Sequence, residues 1–235
     1  MRSVPIYYQD KVYTFKVHES GEFISDIIAS HKSFFELDTL EFCHQNFDLS
    51  YVLDIGANIG NHAFFFEKVC GSKVIAVEPH PDNFTLLQEN TQKSFNLNMA
   101  LAEAAKQTWL VDIFECRGNS SLINSNSSIS IGDTCHLGKV SDLIPVQTIP
   151  LDILGLKGLT FIKLDVEGSE LDVLQGAIKT LKNFSGVIMI EIHEESAFKV
   201  LNGGRYSKKE LFLLLIDLGF RCIYKDRYSN YFFQK

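Results

Sequence analysis

From residue 51 onward, short apolar runs end in glycine or an acid, and each is followed by a stretch of helical period. Tyr51-Val-Leu-Asp-Ile55 runs into Gly56-Ala-Asn-Ile-Gly60 and then a helical stretch from Asn61 to Cys70. Lys73-Val-Ile-Ala-Val77 passes through Glu78-Pro-His-Pro81 into a second helix reaching about Lys93, with proline at its start. Phe95 to Leu101, Thr108 to Cys116, Val146 to Ile149 and Thr160 to Asp165 read as further strands. Ser169 is expected to cap a helix to about Leu181. Val187 to Ile192 is a buried strand, Lys208 to Leu218 a helix, and Phe220–Tyr224 with Tyr228–Phe233 a closing hairpin. Alternating β and α units of this length specify an α/β fold. Its sheet is mostly parallel with helices on both faces, and an antiparallel hairpin ends it.

Residues 4–18 alternate around Gln9-Asp10-Lys11 and read as a hairpin, and residues 22–47 as one or two helices. No Pro, Gly or Ser-rich linker follows, so residues 1–50 are expected to cap a single domain over 51–235. Nine of the thirteen residues in Gly118–Ser130 are Ser or Asn, which predicts a loop and, by its position, a lid over a site. The net charge is −7 with no Lys/Arg cluster, which argues against broad binding to nucleic acid. The late apolar run Leu211 to Ile216 stops at Asp217, far short of the ~20 residues a membrane span needs. The start, MRSVPIYYQD, lacks the basic and apolar regions of a signal peptide, so a cytoplasmic location is expected. Five scattered cysteines without a C-x-x-C pair indicate neither zinc nor a disulfide framework.

In such sheets, ligands sit beyond the carboxyl ends of the strands, where strand order reverses. Glycines after Asp54 allow a tight turn, but Asn58 stands where the dinucleotide fingerprint needs its second glycine. Asp54 would disfavour a pyrophosphate and favour a ligand carrying an amine or sulfonium. Glu78, 22 residues after Gly56, is placed to accept the hydroxyls of a ribose. Two further strand ends carry Asp165-Val-Glu167 and Glu191-Ile-His193, and Lys163 is spaced to pair with Asp165.

Together, Val52-Leu-Asp-Ile-Gly-Ala-Asn-Ile-Gly60, Glu78-Pro-His-Pro-Asp-Asn83 and Phe161-Ile-Lys-Leu-Asp-Val-Glu-Gly-Ser-Glu170 resemble the FkbM family of class I methyltransferases. The resemblance covers about residues 34–194. It implies a Rossmann-like fold of the seven-stranded type and S-adenosyl-L-methionine as cofactor. It also implies O-methylation of a hydroxyl on a sugar, glycan or small metabolite. Carried over, it places Asp54, Gly56, Ala57, Asn58 and Gly60 around the cofactor, with Glu78 on the ribose and Asn83 and Ala100 toward the adenine. Phe35-Glu36 is similar to an aromatic–Glu pair of the family, which adds Glu36 to the cofactor set. His62 stands where a larger aromatic is more typical.

Methyl transfer to a hydroxyl needs alignment and a base. His193, with an ordinary pKa near ~6.5, is expected to be that base, with Asp165 orienting the reactants and Glu167 supporting it. Asp165, Glu191 and His193 could instead hold a divalent ion that acidifies the hydroxyl. A non-catalytic, methyltransferase-like binding module is the alternative from another class. A nicotinamide oxidoreductase is disfavoured by Asn58.

Overall fold

The structure is a computed structural model that describes residues 1–113, 121–123, 134–135 and 138–235. Strands β1 (Arg2–Tyr8) and β2 (Lys11–Val17) form a separate hairpin, followed by helices α1 (Phe23–His31) and α2 (Leu37–Asn46). Then come β3 (Tyr51–Ile55), α3 (Asn61–Lys68), β4 (Lys73–Val77), α4 (Pro81–Asn90) and β5 (Phe95–Leu97). Strands β6 (Ala100–Leu101), β7 (Lys106–Ile113), β8 (Ser121–Ile123), β9 (Thr134–Cys135) and β10 (Gly138–Ile149) build a second sheet. The chain returns through a 3₁₀ turn at Leu151–Leu154 to β11 (Phe161–Leu164), α5 (Glu170–Gln175), α6 (Ile178–Lys182) and β12 (Val187–Glu191). It ends with α7 (Glu195–Leu201), α8 (Lys208–Asp217), β13 (Arg221–Lys225) and β14 (Asn230–Gln234).

The main sheet has seven strands in the order β13-β14-β12-β11-β3-β4-β5. Five are parallel, and β13 and β14 close it antiparallel. Strand order reverses between β3 and β11, which opens a crevice at their carboxyl ends. The central strands are almost wholly apolar because side chains on both faces are buried. Val52, Val74, Phe161, Val187, Met189 and Phe232 face one core with the hairpin and α1 to α4. Leu53, Ile75, Ile162, Ile188, Ile190 and Phe233 face the other with α5 to α8. Among the described residues, no helix is long and apolar enough to cross a membrane.

Several local readings change. The run 95–101 splits into β5 and β6, with β6 leaving for the second sheet. Between the two strands, Asn98 turns its amide onto the carbonyls of Glu78 and Pro79, at 2.9 and 3.1 Å. Strand β10 is twelve residues long where four were read, since Asp142 and Pro145 blunt its apolar pattern. The helix after Ser169 breaks in two. A Cβ on Gly176 would lie 2.1 Å from the Ala102 carbonyl, and the Asp152 carboxylate accepts from the Lys179 and Thr180 amides at the start of α6. Ser169 makes no capping bond. Helix α7 escaped notice because Phe198 is its one buried residue. Within the Ser/Asn tract, Ser121–Ile123 pair with β7 as a strand rather than a loop, and the rest of the expected lid lies outside the described residues.

One amide joins the hairpin edge to α4, beside the exposed Lys16–Glu89 ion pair. Asn90 Oδ1 accepts from the Lys16 amide at 2.8 Å, and its Nδ2 donates to the carbonyls of Lys16 at 2.9 Å and Ile59 at 2.8 Å. Asn90 thereby acts as a one-residue strand partner for the edge of β2, while holding the turn after β3. Asn90→Leu strands these buried groups and should cost about 2–3 kcal/mol of unfolding free energy in a urea titration. A loss under about 0.5 kcal/mol would show that the hairpin is anchored elsewhere.

Candidate active site

The crevice holds a cavity of about 260 Å³ whose wall takes residues from β3, β4, β11, β12, α1, α3 and the second sheet. At the end of β3 the backbone turns through Gly56 with φ +77°, and a Cβ there would sit 1.7 Å from the Asp165 carbonyl. Only glycine lets the ends of β3 and β11 approach this closely. Asn58 takes φ 50°, and its Oδ1 is buried on the cavity wall without a hydrogen-bond partner. Gly60, at φ +91°, starts α3 and lies against Leu87 of α4, off the wall.

Glu78 follows β4 and is 5% exposed. Its Oε2 accepts from the Asn58 amide at 2.9 Å and its Oε1 from the His80 amide at 2.8 Å. One carboxyl group thus joins the turn after β3 to the start of α4. Burial pushes its pKa up to about 7, against the two amide bonds that favour the charged form.

Lys163 is the third strand-end group. Its side chain lies on a strand buried on both faces, and its Nζ reaches the Gly56 carbonyl at 2.8 Å, Asp165 Oδ2 at 3.2 Å and Asp54 Oδ1 at 3.3 Å. Asp54 is fully buried behind the cavity wall. Its expected contact with a ligand amine is replaced by this ion pair, so it acts on the wall through Lys163.

Beyond β11 and β12 the acids converge. Burial raises the pKa of Asp165, but the Lys163 ammonium and the hydrogen bond from Glu191 together hold the carboxyl below its usual range. Burial and the Asp165 carboxylate beside it push Glu191 up to about 11, so it is protonated and hydrogen-bonded to Asp165. Glu167 takes φ 50° and lies 3.4 Å from His193 Nε2, with Glu191 at 3.7 Å from the same nitrogen. The bond to Glu167 raises the His193 pKa above 6.5, which corrects the expectation of an unperturbed, mostly neutral imidazole. The set that closes around one point is Glu167, Glu191 and His193, with ligand atoms within 4.8 Å of one another. Asp165 belongs to Lys163 instead.

Near these acids, Asn61 clamps the Phe35 backbone through its amide oxygen and nitrogen, each at 3.0 Å. This holds Glu36, at φ 53°, with its Oε2 3.4 Å from His62 Nε2. Ala57, Asn83 and Ala100 line the cavity, and Asn83 Oδ1 is held by His18 Nε2 at 2.9 Å. Gly56, Asn58, Glu78, Asp165, Glu167, His193 and Glu36 share the same wall. Sequence reasoning missed Phe23, Ser169 and a site position for His62, and named Phe35 only as the neighbour of Glu36. A lysine within the apolar run Phe161-Ile-Lys-Leu164 was the available signal for Lys163 as an organising group.

Residues 54–222, well over half of the chain, match the family described as the methyltransferase FkbM domain. The chain belongs to the FkbM methyltransferase family. It is 31% identical over 146 residues to the hexuronic acid methyltransferase AglP of Haloferax volcanii, a match covering 60% of this chain and 54% of that protein. It is 28% identical over 149 residues to Methyltransferase 1 of Beauveria bassiana, covering 55% of this chain and 59% of that protein. The chain therefore spans little more than half the length of these curated relatives. A crystal structure of the methyltransferase FkbM from Methylobacillus flagellatus aligns with a TM-score of 0.48 at 16% identity, over 79% of this chain and 43% of that one. The family resemblance carried by the three sequence motifs is borne out by the domain match.

A raised carboxyl pKa has a definite sign. The folded chain keeps the Glu78 proton to higher pH than the unfolded chain, so this group's contribution to stability is full below about 4.5 and is lost as pH rises through about 7. Carbon-detected NMR of labelled glutamate should show Glu78 titrating near pH 7 in the unliganded protein. A midpoint near 4.5 would contradict the burial argument.

Proposed function

We propose that this chain is an S-adenosylmethionine-dependent O-methyltransferase acting on a hydroxyl of a sugar or small metabolite. One observation carries the reading: Glu78 and the Gly56–Asn58 turn line the same cavity as Asp165, Glu167 and His193. A relative named for a hexuronic acid supports a sugar as the acceptor.

The residues present fit the cofactor. After accepting two amide bonds, each Glu78 oxygen keeps a lone pair for a ribose hydroxyl. The unpartnered Asn58 Oδ1 is an acceptor for the ammonium of an amino-acid tail. Val77, Met99, Leu101, Leu110 and Leu122 supply an apolar wall for a purine, with the Asn83 amide at its edge. When bound, S-adenosylmethionine supplies a methyl group on a sulfonium that is already electrophilic.

The chain's own work is alignment and proton removal. His193 takes the hydroxyl proton at its free ring nitrogen, Nδ1, while Glu167, held by Nε2, orients the ring and stabilises the imidazolium. Asp165, fixed by Lys163, positions the reactants, and protonated Glu191 steadies Asp165. Because Glu167 raises the His193 pKa, the neutral base gains population only as pH rises above 6.5. The kcat–pH profile should therefore have an ascending limb with its midpoint above 6.5, and Glu167→Gln should move that midpoint down. A midpoint unmoved by Glu167→Gln would remove the dyad from the mechanism.

The cofactor is tested by binding. S-adenosylhomocysteine at ~100 times its dissociation constant should stabilise the fold by about 2.7 kcal/mol. Glu78→Ala should remove most of that. No shift in the wild-type protein would sink the methyltransferase reading, and a shift without turnover on any acceptor would favour the non-catalytic binding module.

The Glu167, Glu191 and His193 ligand atoms lie close enough for a cation, which gives a second reading its own test. Proton transfer through the dyad predicts that turnover survives a chelator. Loss of activity restored by Mg²⁺ would make these residues ligands.

A further inference from the structure

The acceptor must bring its hydroxyl to His193, so its surroundings are the groups on that end of the cavity. These are four carboxyl groups, Glu36, Asp165, Glu167 and Glu191, and two imidazoles, His62 and His193. Each imidazole already has a carboxylate at 3.4 Å, Glu36 for His62 and Glu167 for His193. The Lys163 ammonium donates to the Gly56 carbonyl and is ion-paired with Asp54 and Asp165. Among the described residues lining the cavity, no cation is left to meet an acidic acceptor. A carboxylate entering here would lose its water beside the ionised Asp165, and the neutral Glu191 brings it no compensating charge. A neutral hydroxyl, by contrast, donates to a carboxylate and gains a charge-assisted hydrogen bond.

The mouth adds an apolar surface. Phe23 lines the cavity yet is 60% exposed, and its ring meets Phe35 edge to face, with centroids 6.3 Å apart. Carboxylates that accept hydroxyls beside an open aromatic face match the two surfaces of a sugar ring, its polar edge and its apolar C–H face.

We infer that the acceptor is a neutral sugar, that Phe23 is the platform on which its ring lies, and that uronic acids are rejected. The inference rests on the methyltransferase reading above and names the substrate class of that same site.

The test uses the full chain with labelled S-adenosylmethionine and EDTA. It offers neutral methyl glycosides of several hexoses, each matched with its uronide. The expected result is methylation of at least one neutral glycoside, with kcat/KM at least about a hundredfold above that of its uronide. Phe23→Ala should raise KM for that glycoside about tenfold while leaving S-adenosylhomocysteine affinity within about twofold. Equal or better turnover of the uronide would overturn the inference, as would uronide turnover appearing on addition of Mg²⁺. Turnover of neither set, with S-adenosylhomocysteine still bound, would overturn the acceptor class and leave the cofactor reading intact. Absence of S-adenosylhomocysteine binding would bring down the underlying reading as well.

Discussion

The site depends on one buried ammonium. Lys163 is 3% exposed at the heart of a parallel sheet, a place where a lone charge would be expelled or neutralised. It stays charged because Asp54, Asp165 and the Gly56 carbonyl surround it. The same three contacts fix the ends of β3 and β11 relative to each other at the point where strand order reverses. The close approach that Gly56 permits and the charge that Lys163 supplies are therefore two halves of one device. Removing either partner of such a buried pair leaves an uncompensated charge, whereas well-formed pairs contribute little net stability. We read this group as holding the geometry of the crevice.

A second layer of support comes from the amino-terminal hairpin and helices. Asn90 ties β2 to the turn after β3, His18 holds the Asn83 amide at the cavity wall, and Asn61 clamps Phe35. Each link is a buried amide or imidazole with its polar groups paired, which makes it directional as well as strong. The hairpin lies far from the strand ends in sequence and still shapes the wall.

Much of this was legible in the sequence. Short, continuously apolar runs and the helical stretches between them specify the sheet, and the glycine turn and Glu78 mark its ligand end. The parts that were not legible share a physical cause. Whether Asp54 meets a ligand or a lysine depends on where β11 lies, more than 100 residues on, and no local pattern carries that. The His193 environment likewise depends on Glu167 folding back through a left-handed residue. Phe23 starts α1 and Phe35 lies just before α2, where Asn61, 26 residues on, holds its backbone through a long-range contact. Asp142 and Pro145 hid most of β10, because edge and bulge residues break the alternation that reveals a strand.

The central claim is that Lys163 holds stability and site geometry together. The direct measurement is the unfolding free energy and S-adenosylhomocysteine affinity of Lys163→Met, which keeps the volume and removes the charge. The account predicts a loss of about 3–5 kcal/mol, because Asp54 is left buried without its partner, together with binding weakened more than tenfold. A variant as stable as the wild type, with unchanged affinity, would contradict it.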